Sequence, residues 1–66
     1  MAYVTIPIRS TAIAYLAYDE DTEDAQLTFH DGGSYLLTGV PAIEIERLVA
    51  AASPGAYWNS YMKGNY

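Results

Sequence analysis

The sequence predicts an α+β fold: a three-stranded antiparallel β-meander, preceded by a short N-terminal edge segment and packed on one face by two C-terminal helices (β-β-β-α-α). Three observations carry this. Asp31-Gly32-Gly33 separates two runs of alternating apolar residues, and glycine supplies the positive φ that a tight hairpin turn demands. The first third of the chain is dominated by β-branched, aromatic and small residues, which suit a pleated, half-buried surface. Beyond Gly39-Val40-Pro41 the apolar period lengthens to that of a helix, with Ser53-Pro54 as punctuation.

Each element follows from its residues. Residues 3–6 read as the edge segment, ended by Pro7, which removes a ladder donor. Residues 12–18 read as the first full strand. The acidic run at residues 19–24 reads as a solvated loop, because its charges would repel one another in a strand and discourage edge-to-edge aggregation. In the second strand Ala25, Leu27 and Phe29 share one face, with Gln26, Thr28 and His30 on the other. In the third, Tyr35 and Leu37 share a face and Leu36 stands on the opposite one, which predicts that something covers that side. Pro41 suits the first turn of a helix whose stripe is Ile45, Leu48, Val49 and Ala52, with Glu44 and Arg47 outward. Ser53 is the expected N-cap of a second helix with Pro54 in its first turn, Tyr57, Trp58, Tyr61 and Met62 as its apolar face and Gly64 as its stop.

Composition bounds the function. The 66 residues make one domain, and a chain of this size buries only about 60% of its unfolded surface, a thin stability margin. Cysteine is absent and the single His30 has no thiol partners, so neither a disulfide nor a structural zinc braces it. Hydrophobic residues make up 52% of the chain and seven are tyrosines, a surplus that favours a homo-oligomer with a two-fold dimer as the default. A net charge of -5 disfavours duplex nucleic acid, whose phosphates need many Lys or Arg. Five of the eight carboxylates lie at residues 19–24, however, so a small anion needing one or two arginines is compatible with the rest of the surface. No run approaches the ~18 apolar residues of a membrane span and no signal peptide is evident, which predicts a cytoplasmic protein.

No motif assigns catalysis. His30-Asp31 has the types of a base with its orienting carboxylate but no linked nucleophile, and reads as a polar turn. The acidic run lacks the glycine that a calcium loop places at its sharp bend, so no metal or cofactor is expected. Arg9, followed by Ser10 and Thr11, is a bidentate donor suited to a phosphate or carboxylate, or else an ion-pair partner of the acidic run. Arg47 suits a pair with Glu44 or Glu46 on its own helix, and Lys63 suits a helix C-terminus. Tyr57, Trp58 and Tyr61 offer rings for stacking, and Asn59 offers an amide to read a ligand edge.

These residues resemble the KTSC domain, a short module found alone in bacterial and phage proteins and named for its place at the C-terminus of some lysyl-tRNA synthetases. The resemblance covers residues 10–66. It rests on Ser10-Thr11 with Ile13, Tyr18-Asp19, Phe29 with Gly32 and Tyr35, Val40-Pro41, and Ala52-Ser53 with Gly55, Tyr57 and Asn59. Ala17 stands where the family usually has glycine, and Leu37 where a second tyrosine is common. The resemblance implies a small bacterial or phage protein, in the host cytoplasm if phage-encoded, without synthetase activity. The expected function is non-enzymatic: a homo-oligomer sequestering a small phosphate-bearing, nucleotide-like ligand at subunit interfaces, with Arg9, Ser10, Thr11, Tyr57, Trp58, Asn59 and Tyr61 as binding residues. The alternative is a protein-interaction module that docks an aromatic face onto a host or virion protein.

Overall fold

The turn that dominates the sequence closes a hairpin between β3 (Asp24–Phe29) and β4 (Ser34–Leu37) in the computed structural model, which describes residues 2–66. Gly32 has φ +96°, and the Asp31 carboxylate accepts the Gly33 N–H at 2.9 Å, so side chain and glycine together bend the chain. β3 pairs on its other side with β2 (Ile13–Asp19), and β2 with β1 (Val4–Ile6), giving one antiparallel sheet in the order β1-β2-β3-β4. After the sheet come α1 (Ala42–Ala50) and α2 (Pro54–Tyr57), and α2 runs directly into a π-helical turn, Trp58–Met62.

The sheet therefore has four strands, not three. Val4, Thr5 and Ile6 are successive β-branched residues and pair in register with Tyr18, Ala17 and Leu16. Pro7 falls just beyond the last rung, where its missing N–H breaks nothing.

A bulge between Ile13 and Tyr15 resets the alternation of β2, so Ile13 and Leu16 both face the core although they lie an odd three positions apart. Leu16 and Leu27 are directly paired in the sheet interior, as are Ala25 and Leu37 one rung pair away. From the helical side Ile45, Leu48, Trp58 and Met62 complete the core, with Val40 from the connecting loop. Eleven hydrophobic residues are buried, so one chain closes a core of its own. Its accessible surface, 4227 Å², matches the roughly 4,100 Å² typical of a compact monomer of 7.2 kDa.

Four further expectations are corrected. Pro41 is the N-cap rather than a first-turn residue: its backbone is extended (φ -69°, ψ 151°) and its carbonyl accepts the Glu44 N–H at 2.9 Å. The α1 stripe stops at Val49; Ala52 lies beyond the helix and is exposed, because the backbone turns extended at Ala51 (φ -64°, ψ 144°). Asp19 is not a solvated loop charge. It closes β2, is 7% exposed, and its carboxylate accepts the N–H groups of Asp21 and Thr22 at 3.0 and 3.4 Å, while Asp24 already belongs to β3. Tyr61, expected on the buried face of the second helix, is 61% exposed.

The other sheet face is open. Thr5, Ala17, Gln26 and Leu36 form one cross-strand row and Tyr15, Thr28 and Ser34 the next, and none of these side chains is charged. Leu36 is 68% exposed and Tyr15 65% exposed, so no described residue covers the face on which Leu36 predicted a cover.

Candidate functional site

The structure sorts the expected binding residues into three places. The first is a cleft where residues 9–12 meet residues 52–55. The segment before β2 contributes Arg9, Ser10, Thr11 and Ala12, and the start of α2 contributes Ala52, Ser53, Pro54 and Gly55, around a volume of about 420 Å³. Ser10 builds its own side of the cleft: its hydroxyl oxygen accepts the N–H groups of Ala12 and Ile13, both at 3.0 Å, and thereby launches β2. Opposite, the Ser53 hydroxyl accepts the Ala56 N–H at 3.4 Å as the N-cap, with Pro54 buried behind it. The cleft includes no carboxylate, in a chain with eight of them. The pairing of Arg9 with the acidic run does not form: among the described residues Arg9 has no ion pair.

The two walls approach closely because of Gly55. A Cβ at that position would lie 3.1 Å from the Ala12 Cβ, tighter than ordinary van der Waals contact. We expect Gly55→Val to lower the melting temperature by several degrees, and Ala12→Gly in the same chain to restore part of the loss, measured by circular dichroism. Additive effects would show that the two walls are not in contact.

The second place is an aromatic hollow of about 210 Å³ at the hairpin end of the sheet. Phe29, Tyr35 and Trp58 pack with centroids 5.2 to 6.1 Å apart, Phe29 and Tyr35 edge to face. Asn59, Lys63 and Asp31 rim it. Trp58 is only 3% exposed, so most of its ring serves the core. The third place is the helical surface where the Tyr57 and Tyr61 rings pack at a tilt with centroids 4.8 Å apart and the Tyr57 hydroxyl donates to Glu44 at 3.1 Å. Burial first, and then the hydrogen bond and negative charge of Glu44, raise the Tyr57 pKa above 10.0. Arg9 and the aromatic residues Tyr57, Trp58 and Tyr61 thus do not line one cleft, and Tyr35, which sequence reasoning placed only in the sheet, joins Trp58 instead.

The Asp31 carboxylate is turned to the Gly33 N–H, and His30 is exposed beside it. Among the described residues no three His, Cys, Asp or Glu side chains converge on a metal position, and no helix is long and apolar enough to cross a membrane.

Many of the motif residues have structural duties: Ser10 starts β2, Tyr18 donates its hydroxyl to the Val40 carbonyl at 2.6 Å, Asp19 folds the β2–β3 turn and Gly55 admits Ala12. A family model described as the KTSC domain matches residues 9–66. The crystal structure of a KTSC domain protein from Yersinia pestis is similar at a TM-score of 0.85 and 28% sequence identity, covering 96% of this chain and 89% of that one. No curated protein matches the sequence.

Proposed function

The chain belongs to the KTSC domain family, and we propose that this member is a non-catalytic, self-associating binding module that holds a small anionic ligand in the cleft between Arg9 and Ser53. The observation that carries the reading is the position of Arg9. It is exposed, free of ion pairs among the described residues, and placed at a concave surface that the carboxylates avoid. A guanidinium with the Thr11 hydroxyl beside it suits a phosphate or carboxylate. The cleft has no aromatic wall, so the reading favours recognition of the anionic group over stacking on a nucleobase.

Self-association is supported by the open sheet face. Because the core closes within one chain, the case rests on the uncharged rows around Tyr15 and Leu36, which set no like charges against each other at the centre of the face. Two tests follow. A panel of phosphate-bearing nucleotides and simple anions should raise the melting temperature of the wild-type protein and not that of Arg9→Ala; no shift with any member would overturn the ligand reading. Leu36→Lys should convert a dimer of about 14 kDa to monomer in light scattering, twice and once the 7.2 kDa chain mass. A wild-type monomer at micromolar concentration would overturn self-association.

A further inference from the structure

The Arg9 cleft does not end at Arg9. On the far side of that residue a second hollow, about 510 Å³, lies between Pro7 and Ile8 on one wall and Val49, Ala51 and Ala52 on the other. Val49 in turn borders a third hollow, about 410 Å³, between Ile6 and the residues Ile45, Glu46, Val49 and Ala50 of α1. The first and second hollows share Arg9 and Ala52; the second and third share Val49. The three hollows run in series along the N-terminal segment and α1, and Ile6 stands at most about 10 Å from Arg9 at the fully extended chain length; we treat the series as one groove. Its walls are apolar and incompletely packed: Ile6, Ile8 and Val49 lean on the core but stay half-buried.

The groove is polarised. At one end stand the Arg9 guanidinium and the hydroxyls of Ser10 and Thr11; at the other the polar lining residue is Glu46. An anionic head is favoured at the Arg9 end and repelled at the other, which sets one orientation for any elongated ligand. We infer that cleft and groove are a single site for an anionic amphiphile, with a phosphate monoester or carboxylate head at Arg9 and a short alkyl or acyl tail laid over Ile8 and Val49 toward Ile6. This rests on the anion-binding reading of Arg9 and adds the tail. A tail of about eight carbons fills the length, and each methylene fully removed from water tightens binding by about four-fold.

The test uses the full chain with inorganic phosphate, butyl phosphate, monomeric octyl phosphate and octanol, followed by titration calorimetry. Octyl phosphate should bind at least about ten-fold more tightly than butyl phosphate, and octanol more weakly than either. Arg9→Ala should lose octyl phosphate. Val49→Ser, at a half-buried position in the groove wall, should erase the octyl preference. Ala52→Glu, at an exposed position outside both helices, should weaken both alkyl phosphates. If the three phosphates bind equally, the tail site is overturned while anion binding stands. If octanol equals octyl phosphate, Arg9 reads no head and the amphiphile is overturned. If nothing binds, both readings fall.

Discussion

Trp58→Ala should abolish the cooperative unfolding transition at 25 °C. Trp58 is 3% exposed and packs against Phe29 and Tyr35, at 6.1 and 5.2 Å between ring centroids, where the first turns after Ser53 meet the hairpin. Removing a buried tryptophan costs about 3–5 kcal/mol, and a single core in a domain this small supplies about as much in total. With no disulfide available, nothing else offsets the loss. Because Trp58 is the sole tryptophan, the transition must be followed by far-ultraviolet circular dichroism in urea. Tyr61→Ala is the matched comparison: its ring is 61% exposed and packs at a tilt on Tyr57, so the cost should stay below about 1 kcal/mol. Equal losses in the two variants would refute the division of the second helix into core and surface rings.

The second large effect is expected at Tyr18, and it depends on pH. Its hydroxyl donates to the Val40 carbonyl at 2.6 Å, tying β2 to the loop that leads into α1, and both residues are buried. Tyr18→Phe keeps the ring and leaves the Val40 carbonyl without that donor. The cost should be about 1–2 kcal/mol, or about 4–8 °C in melting temperature per kcal/mol for a domain of this length. Burial of the phenol, and then the charges of Glu23, Glu20 and Asp19, raise its pKa above the ordinary 10.0. The folded chain therefore holds this proton more tightly than the unfolded chain does. The associated stability is fully present below pH about 10 and declines as pH rises from there through the folded pKa. Tyr18→Phe should consequently narrow the stability difference between pH 8 and pH 11. Tyr3, Tyr57 and Tyr66 also have raised values, so part of the alkaline decline should persist. An unchanged alkaline limb in the variant would show that Tyr18 does not contribute.

Both predictions turn on residues whose type was visible in the sequence and whose partners were not. The hairpin at Asp31-Gly32-Gly33 was legible because its cause is local: a glycine at positive φ and an Asx turn within three residues. Ser53-Pro54 was legible for the same reason, as a cap and a first-turn proline. The pairing of β1 was read only as an edge segment, since three β-branched residues acquire a ladder only when β2 lies beside them. The bulge at Ala14, which turns both Ile13 and Leu16 inward, leaves no mark in a period-two reading of the strand.

The candidate site divides in the same way. Arg9, Ser10 and Thr11 stood out for their chemistry, and their opposition to Ser53 and Gly55 follows only from the long-range packing of α2 on the start of β2. Grouping Arg9 with Tyr57, Trp58 and Tyr61 failed to anticipate that Trp58 is drawn inward to Phe29 and Tyr35, while Tyr57 is half-buried and Tyr61 packs on it from the exposed side. The sequence by itself determined what each short segment must do: turn, extend, cap or coil, because those preferences arise from φ/ψ sterics and neighbouring side chains. Only the tertiary structure decided which of the aromatic side chains became core, which sheet face stayed bare and which distant residues share a groove, because those outcomes depend on contacts between residues tens of positions apart.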